Sequence, residues 1–345
     1  MDLSVIIAHF NRADTVGHTL ASIEQARGDR RIEIILVDDG SEPPAADTIA
    51  PLLPPHARIV RQSNQGLLFA RLAGLREARG EHVLFLDSDD CVGPEKLATH
   101  LRALRETGAD VVYSDSIAGP LGLPWAELRK PPQWEATEET TDPAVFFIRA
   151  QPPPHAPVFR TAWLRGVLER PLFPPSPLYN AVAEIWFYHV AATAPARIVK
   201  VPGIHNLVGE HDGARLTGCW ERMAVASLAV VEAFMRACPR NAATEAVRRL
   251  VGEKAFNAWR GLPHDFFPVY QQRLLQLWRA APRGPLAALG GRNFQRLARV
   301  LGPVAAGRLL RRLRGGSYAS CRSPHGPEEF ARQLALLDAA TAATR

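Results

Sequence analysis

The sequence has little of what marks several specialised classes of protein. Only four of its 345 residues are cysteines, and no two of them form a CxxC pair, so neither a disulfide framework nor a zinc site is predicted. The N-terminal run LSVIIAHF, residues 3–10, is too short to cross a membrane or to act as a secretory signal. We therefore expect a chain that folds in a reducing cytoplasm and has no membrane-spanning segment.

Acidic residues are missing from one long stretch near the C-terminus. Between Phe266 and Pro327 there is no Asp or Glu, while eleven arginines lie there, although the net charge of the whole chain is only +6. Such a basic stretch favours an anionic partner or surface. Nucleic acid is not expected as that partner, because the stretch has neither interleaved aromatic platforms nor a recognisable nucleic-acid-binding module.

The first hundred residues alternate short apolar runs with segments of helical periodicity. This pattern predicts βαβ units that build a mostly parallel sheet flanked by helices, an α/β fold. The predicted strands are residues 3–10, 32–39, 57–60, 82–87 and 110–115. The predicted helices are residues 15–26, 67–78 and 94–107. Because 47% of the residues are hydrophobic, the chain can fill a sizeable core.

The middle of the chain, residues 117–201, is richer in proline and less periodic. Proline-rich stretches form rigid surface loops that can shape the wall of a binding site. From about residue 223 onward the apolar residues return to helical spacing, and arginine becomes frequent. This change of composition predicts a boundary near residue 225, with a helical region beyond it.

Carboxylates cluster where two of the predicted strands end. Asp38 and Asp39 close the second strand, and the stretch FLDSDD places Asp87, Asp89 and Asp90 at the end of another. Ligands of open α/β sheets bind at the C-terminal ends of the strands. Because like charges this close repel, a partner of opposite charge that neutralises these carboxylates is expected. The plainer alternatives are a solvated turn closed by Asx hydrogen bonds and a helix N-cap.

Four ordered blocks of the sequence resemble the family 2 glycosyltransferases. The blocks are SVIIAHFNR, ILVDDGS, NQG followed by Ala70 and Arg71, and FLDSDD, and together they cover roughly residues 3–115. The resemblance implies a glycosyltransferase A fold, a nucleotide-sugar donor with UDP favoured, a divalent metal that is Mn²⁺ or Mg²⁺, and inversion at the anomeric carbon.

The resemblance also implies roles for individual residues. One departure from the family pattern is that Ala8 and His9 stand where proline and threonine are common. The donor-binding residues that the resemblance implies are His9, Asn11, Asp38, Asp39, Asn64, Arg71, Asp87 and Asp90. The metal-binding residues that it implies are Asp89, Asp87 and His211.

A catalytic base is expected in the second half of the chain. Inverting transfer needs a carboxylate that takes the proton from the attacking hydroxyl, and family members usually offer it in a Glu-Asp pair that opens a helix. The segment AEIWFYHVAA, residues 183–192, resembles that region but holds a single acid, Glu184. One alignment makes Glu184 the base, and we prefer it. A second alignment places Ile185 there, and a third interpretation makes Glu184 only a first-turn acid favoured by the helix dipole.

Two further segments resemble parts of the family's site. In LVGEHDGARLT, residues 207–217, His211 and Thr217 match positions that approach the donor phosphates or the metal, and Gly209 replaces a frequent arginine, whose place Arg215 could take. In PPPHAPVFR, residues 152–160, His155 matches the stretch under the acceptor. No QxxRW block follows, so transfer of one sugar per encounter is expected.

These observations predict a metal-dependent inverting glycosyltransferase that acts on a glycan or lipid-linked acceptor in surface polysaccharide or glycolipid synthesis. Residues 1–115 are predicted to bind the nucleotide-sugar, residues 116–225 the acceptor, and residues 226–345 to form a helical, arginine-rich extension. A donor-binding but catalytically impaired scaffold is the main alternative. A nucleotidyltransferase is a weaker one, because NRADTVGHT lacks the Gly-rich phosphate loop with a basic residue that such enzymes show.

The arginine-rich extension contains a predicted pair of basic amphipathic helices. In residues 292–316, apolar residues recur at helical spacing opposite arginines, with a break at Gly302 and Pro303. Such a pair can lie in a membrane interface, which would place the protein at the inner face of the cytoplasmic membrane. Alternatively, the apolar stripes pack on the catalytic domain and the arginines are solvated.

Overall fold

A computed structural model describes residues 1–210, 218–321 and 325–343 of the chain. The backbone divides into two compact units. The first, which we call the sheet unit, comprises Met1–Pro171 and Ala194–Gly213, and the second, the helical unit, comprises Leu172–Thr193 and Ala214–Arg345. The donor and acceptor halves predicted at residues 1–115 and 116–225 are functional assignments, and they stay predictions.

The sheet unit is built on one eight-stranded sheet. Its strands are β1 Leu3–His9, β2 Ile32–Asp39, β3 Ala57–Gln62, β4 His82–Asp87, β5 Cys91–Val92, β6 Val111–Pro120, β7 Val158–Arg160 and β8 Ile198–Glu210. Their spatial order is β3-β2-β1-β4-β7-β6-β8-β5. Four of the pairings are parallel and three are antiparallel. The predicted mostly parallel sheet is therefore confirmed, with antiparallel insertions in its second half.

The central strands are buried on both faces. Every residue of β2 is buried, and β1 is buried except at Ala8. Continuous runs of Val, Ile and Leu of this kind are typical of parallel strands covered by helices on both sides. The covering helices of this unit are α1 Val16–Arg27, α2 Ala45–Thr48, α3 Leu67–Glu77, α4 Lys96–Thr107 and α5 Thr161–Glu169.

Helix α4 illustrates how the sequence produces these helices. Leu97, Leu101 and Leu104 recur at intervals of four and three residues, and all three are buried, so one face of the helix lies in the core. The helix ends at Gly108, whose φ of 63° is in the left-handed region. Glycine adopts that conformation without the steric cost that a Cβ imposes, and its N–H caps the carbonyl of Leu104.

The helical unit contains the remaining helices. They are α6 Ala183–Ala191, α7 Trp220–Ala237, α8 Glu245–Gly261, α9 Pro268–Ala280, α10 Leu286–Leu289, α11 Arg292–Leu301, α12 Pro303–Arg314 and α13 Gly326–Ala343. Buried aromatic rings form much of its core: the ring centroids of Phe256 and Trp278 lie 4.6 Å apart, and those of Phe266 and Phe330 lie 4.9 Å apart. Within the described ranges, no helix is both long and apolar enough to cross a lipid bilayer.

Most predicted elements agree with the structure, and three strands were missed. The five predicted strands and the three predicted helices of the first 115 residues are present, and the predicted break at Gly302 separates α11 from α12. Strand β7 and the first residues of β8 lie in the proline-rich segment that was interpreted as loops, and the two-residue strand β5 lies directly after the FLDSDD stretch. The predicted apolar stripe of residues 292–316 is divided, because Phe294 is buried whereas Val300 is 82% exposed.

Candidate functional site

The register of the sheet brings the predicted donor residues to one edge. In the parallel pairing of β1 with β2, His9 lies beside Asp38, and in the pairing of β1 with β4, Ala8 lies beside Asp87. The C-terminal ends of β2, β1 and β4 therefore follow one another along the sheet, with carboxylates on both sides of the central strand. This is the edge at which ligands of open α/β sheets bind.

The Asp38 carboxylate organises the turn that follows β2. It is fully buried, and it accepts hydrogen bonds from the backbone N–H groups of Ser41 at 2.9 Å and Ala45 at 3.0 Å and from Arg61 at 2.8 Å. Burial raises the pKa of Asp38, but the Ser41 and Ala45 hydrogen bonds and the Arg61 charge outweigh burial, so the pKa is lowered. Asp38 is thus an ionised anchor of the turn.

Asp39 holds the next loop in the same way. Its Oδ1 accepts from the Gln62 side chain at 2.7 Å and the Gln65 N–H at 2.9 Å, and its Oδ2 accepts from the Gly66 N–H at 2.7 Å. The loop that carries Asn64 is therefore tied to the end of β2. Gly40, at φ 78°, permits this approach, because a Cβ there would lie 2.8 Å from the Asn64 nitrogen.

Two further predicted donor residues lie at the end of β1. Asn11, at φ 52°, donates its N–H to Ser41 Oγ at 3.0 Å and accepts from the Glu42 N–H at 2.9 Å. His9 is buried, which lowers its pKa, and Asp38 offsets this in part. Among the described residues, Nδ1 of His9 has no hydrogen-bond partner. A buried polar atom without a partner is costly unless a ligand or water satisfies it.

Arg71 and Asp87 form an ion pair at the end of β4. Arg71 lies on α3 and is 7% exposed, and its Nη2 lies 2.5 Å from Asp87 Oδ1. Burial raises the pKa of Asp87, Arg71 lowers it, and the neighbouring carboxylates Asp90 and Asp89 raise it further, so the net shift is upward. The loop therefore carries negative charge that one arginine does not balance.

Buried groups of the sheet unit contact both carboxylate oxygens of Asp90. Its Oδ1 accepts the Gly209 N–H at 2.9 Å, and its Oδ2 lies 2.8 Å from Nδ1 of His155. His155, which the resemblance placed at the acceptor, has no exposed surface. In the described part of the chain neither of its ring nitrogens makes a hydrogen bond, so the 2.8 Å approach of Nδ1 to Asp90 is a close electrostatic contact. In this structure His155 supports the carboxylate loop, and its predicted contact with the acceptor stays a prediction.

The end of β8 crosses the loop that carries Asp89. A Cβ at Gly209 would overlap the carbonyl oxygen of Asp89 and the side chain of Leu121. No larger residue fits there without displacing the loop, which gives a physical reason for glycine where the family often has arginine. The neighbouring strand β5 begins directly after the loop and pairs with β8 through Cys91 and Leu207, so the loop is fixed at both ends.

These carboxylates fit a divalent cation bound together with a diphosphate. Within residues 1–210, 218–321 and 325–343, no three His, Cys, Asp or Glu side chains are arranged to hold a metal by themselves. Magnesium, however, is usually bound by one or two carboxylates while phosphates and water supply the other ligands. Asp87 and Asp89 are the matching pair. Burial is the main cause that raises the pKa of Asp87, and repulsion from Asp90 and Asp89, which a cation would reduce, adds to it.

The predicted catalytic base belongs to the helical unit. Glu184 lies in the first turn of α6, partly exposed, directly after the 3₁₀ turn Pro177–Val182. An acid at this position is favoured by the helix dipole whether or not it has a catalytic role. His211, Thr217 and Arg215 lie outside the described residues, so their predicted roles stay predictions.

Sequence reasoning missed Arg61, which contacts the Asp38 carboxylate. It lies at the end of β3, directly beside Asp38 in the parallel pairing of β2 with β3. The signal was present in the sequence, because ARIVRQ places a basic residue just after a predicted strand at the same edge of the sheet. The order of the strands, which is needed to pair Arg61 with Asp38, could not be derived from the sequence.

Comparison with known proteins agrees with this geometry. Residues 4–160 match the family model described as glycosyl transferase family 2. This part of the chain is thus similar to the family 2 glycosyltransferases. It contains the carboxylates at the ends of β2 and β4 and His155, whereas Gly209 and Glu184 lie outside the matched residues.

Curated relatives are similar to this chain over part of their length. The succinoglycan biosynthesis protein ExoO of Rhizobium meliloti is 32% identical over 115 residues, which are 33% of this chain and 33% of the relative. The cholesterol galactosyltransferase of Borreliella burgdorferi is 34% identical over 115 residues, 32% of each chain. The chain thus matches about a third of the length of these relatives.

Solved structures share the fold over most of the chain. Residues 1–349 of S. aureus TarS superpose with a TM-score of 0.61 and 19% identity, covering 92% of this chain and 93% of TarS. The same protein in complex with UDP-GlcNAc gives a TM-score of 0.61 and 18% identity, covering 90% and 91%. The predicted glycosyltransferase A type of fold, with C-terminal helices, is confirmed.

Proposed function

We propose that this chain is a metal-dependent, inverting glycosyltransferase that transfers one sugar from a UDP-sugar to a glycan or lipid-linked acceptor. The observation that carries the proposal is the row of carboxylates at the C-terminal edge of β2, β1 and β4, inside the residues that match the family model. A nucleoside diphosphate is an anion, so binding at such an edge requires a cation between the ligand and the carboxylates.

The donor is proposed to be a UDP-sugar that binds over the ends of β1 and β2. Support comes from the similar fold of TarS, which has been solved with UDP and with UDP-GlcNAc. In this chain, the loops after β1, β2 and β3 are linked by Asp38, Asp39 and Asn11. Loops held in this way form a preorganised wall, and the buried Nδ1 of His9 offers a polar contact to a base or ribose.

The metal is proposed to be Mn²⁺ or Mg²⁺, held by Asp89 and Asp87. When bound, such an ion neutralises the diphosphate and so stabilises it as a leaving group. The protein's own contribution is to fix the carboxylates: Arg71 orients Asp87, and His155 and Gly209 orient Asp90. His211, in the undescribed segment, is proposed as a third contributor.

Glu184 is proposed as the general base. It takes the proton from the acceptor hydroxyl as the oxygen attacks the anomeric carbon, while the bond from that carbon to the diphosphate breaks. Attack from the face opposite the leaving group inverts the configuration at that carbon. Support comes from the position of Glu184 at the start of α6, where family members usually carry their catalytic acid pair. Glutamate can do this chemistry from a slightly longer arm than aspartate.

The acceptor is proposed to belong to surface polysaccharide or glycolipid synthesis. The relatives are named for succinoglycan biosynthesis, a glycan pathway, and for galactosyl transfer to cholesterol, a lipid. Both acceptor classes are therefore represented among proteins that are similar to part of this chain. We propose in addition that residues 292–316 make a peripheral contact with anionic lipid at the inner face of the cytoplasmic membrane.

The proposed membrane contact rests on apolar side chains that protrude among arginines. Val300 is 82% exposed, Leu313 is 73% exposed and Leu309 is 39% exposed. Arg299 and Arg312, beside them in the sequence, are also exposed. An amphipathic helix surface of this composition binds through insertion of apolar groups and attraction to anionic headgroups.

A donor screen tests the enzyme proposal. Release of nucleotide from a panel of nucleotide-sugars is measured with Mn²⁺, with Mg²⁺ and with EDTA, in the presence of a lipid or glycan acceptor extract. We expect release from a UDP-sugar that stops in EDTA. Donor binding without release under any metal would favour the catalytically impaired scaffold, which the single acid of α6 suggests. Release that persists in EDTA would remove the metal from the proposal.

A further inference from the structure

The helical unit contains a cavity that the glycosyl transfer reaction does not use. Its volume is about 500 Å³, and it lies between the end of α8, the loop that follows it, α9 and α12. This size is within the range of small-molecule sites. The donor carboxylates belong to the sheet unit, whereas all residues that line this cavity belong to the helical unit.

Four arginines line the cavity, against one carboxylate. The arginines are Arg279, Arg308, Arg311 and Arg312, and the carboxylate belongs to Asp265. In the described part of the chain none of these four guanidinium groups forms an ion pair, unlike Arg273 of the same unit, which pairs with Glu232. The lining therefore has an excess of positive charge that the protein itself does not neutralise.

Arg311 forms part of the cavity floor and is held rigidly. It is 3% exposed, its Nε donates to the Leu262 carbonyl at 3.0 Å, and its Nη2 donates to the Pro263 carbonyl. Its guanidinium carbon lies 4.8 Å from the centre of the Trp259 ring. Burial, with Arg314 and Arg308 nearby, lowers the pKa of Arg311 to about 10. A charge buried without a counter-ion is costly, so an anionic occupant would stabilise this arrangement.

The packing of α12 places the Arg311 guanidinium group close to the Trp259 ring. Gly307 lies against Trp259, and a Cβ at that position would come within 2.6 Å of the ring. Only glycine allows the helix to approach so closely, and the approach sets Arg308 and Arg311 beside the cavity. The positions of Arg308 and Arg311 beside the cavity are thus determined by the packing of α12 against α8.

The chemistry of the lining identifies the class of ligand. From Phe266 to Pro327 the sequence contains eleven arginines and no lysine. Arginine offers a planar fork of donors that binds phosphate through two hydrogen bonds, whereas lysine acts as a point charge. Gln272 adds an amide donor to the lining, whereas the Gln271 amide donates to the His264 and Phe266 carbonyls. Several arginines around one cavity of this size suit a diphosphate or a phosphorylated headgroup better than a single small anion.

We propose that this cavity is a second phosphate-binding site, separate from the donor site, that takes a phosphomonoester or diphosphate group. The group could be carried by a soluble molecule or by a lipid headgroup at the membrane surface, and both present the same oxygens. Its occupant bridges α9 and α12 by neutralising Arg279, Arg308 and Arg312 around the buried Arg311.

The test is a calorimetric titration of the full-length protein with inorganic pyrophosphate in EDTA. The variant Arg308→Gln with Arg312→Gln removes two exposed cavity arginines and leaves Arg311 in place. The matched control, Arg236→Gln with Arg240→Gln, removes the same charge from exposed positions of the helical unit that neither line the cavity nor belong to residues 292–316. We expect the cavity variant to bind at least about tenfold more weakly than the control, since charge-assisted bonds are lost.

A second arm separates the two sources of the phosphate group. Flotation with vesicles of phosphatidic acid in phosphatidylcholine reports binding of a lipid headgroup. Loss of pyrophosphate binding in the cavity variant, and not in the control, supports the site, and loss of vesicle binding as well assigns the phosphate group to a lipid headgroup. Loss of vesicle binding alone overturns the site, because it reports only the membrane contact of residues 292–316. Equal behaviour of the two variants with both probes, or no binding of either probe by the unmodified protein, overturns it. Loss of pyrophosphate binding in Asp89→Ala also overturns it, because the probe would then occupy the donor site.

Discussion

Nδ1 of His155 lies 2.8 Å from Oδ2 of Asp90, and both side chains are buried. This contact joins the loop of carboxylates after β4 to the segment that leads into β7. We expect His155→Phe to lower the free energy of unfolding by about 1–3 kcal/mol, because a buried carboxylate loses one of its partners. Urea denaturation of the purified protein measures the change.

The double variant Asp90→Asn with His155→Phe is the control for that prediction. Asparagine keeps the acceptor for the Gly209 N–H without a buried charge, so the two substitutions together should cost less than the sum of their separate effects. Strictly additive effects would show that the two residues do not interact, and the proposed support of the loop by His155 would then be wrong.

The sequence predicts the donor edge well because periodicity and strand polarity are local properties. Asp38, Asp39 and Asp87 were placed at strand ends from apolar runs alone, and the register confirms that Asp38 and Asp87 flank β1. Their partners depend on strand order, which a single sequence does not contain. The pairing of Arg71 with Asp87 and of Arg61 with Asp38 could therefore not be predicted.

Strand β8 shows a second reason why part of the fold was missed. Its sequence contains Pro202 and Gly203, which normally argue against a strand interior. The register with β6 shifts near Asp115, so an irregularity absorbs these residues. Tertiary pairing thus overrides the local signal. The same override buries Phe294 but leaves Val300 exposed, although the helical spacing placed both on one stripe.

Removal of the Asp89 carboxylate should abolish metal-dependent donor binding and leave the fold intact. Asp89 lies in a loop at a strand end, so Asp89→Ala deletes a negative charge and little core packing. Calorimetric titration of UDP with Mn²⁺ measures the affinity, and circular dichroism reports the fold. Asp29→Ala, an exposed aspartate in the turn before β2, is the matched control. Unchanged affinity in Asp89→Ala would remove this residue from the metal site.

Glu184→Gln should lower turnover by at least about a hundredfold with little change in donor affinity, because the amide cannot accept the hydroxyl proton. The measurement is the initial rate of sugar transfer beside the dissociation constant of UDP. Glu245→Gln, another first-turn glutamate in the helical unit, controls for loss of a helix-dipole interaction. Near-normal turnover in Glu184→Gln would favour the alignment that places Ile185 at the base position, and Asp212 would be the next carboxylate to test.

Acid should destabilise the protein partly through His189. Its Nδ1 lies 2.7 Å from the Ile185 carbonyl, and burial lowers its pKa from 6.5 to about 4. Between these two pKa values, the unfolded state binds a proton on His189 and the folded state does not. The contribution of His189 to the free energy of unfolding is therefore complete above about pH 6.5 and is lost as the pH falls toward 4. The loss is at most about 3 kcal/mol.

Two variants isolate the contribution of His189 in urea denaturation at a series of pH values. His189→Leu removes the titrating ring, so its free energy of unfolding should depend less steeply on pH between 6.5 and 4. Val190→Ala changes a buried and non-titrating neighbour on α6. It should lower the free energy of unfolding by the same amount at every pH. If His189→Leu keeps the full slope of the unmodified protein, another group is responsible.

The exposed apolar side chains of α11 and α12 should determine whether the protein binds anionic membranes. We expect co-sedimentation with phosphatidylglycerol vesicles but not with phosphatidylcholine vesicles, and weaker binding in high salt, because arginines near anionic lipid gain about 1 kcal/mol each and salt screens this gain. Val300→Ser with Leu313→Ser removes two inserted groups, at 82% and 73% exposure. Each full burial is worth about 1.5–3 kcal/mol, so binding should fall by at least about tenfold.

The control variant, Leu52→Ser with Leu336→Ser, changes leucines at 49% and 51% exposure. It makes the same chemical change outside residues 292–316 and should bind normally. If both double variants bind as the unmodified protein does, or if the unmodified protein never binds, residues 292–316 do not contact lipid and the acceptor need not be membrane-bound.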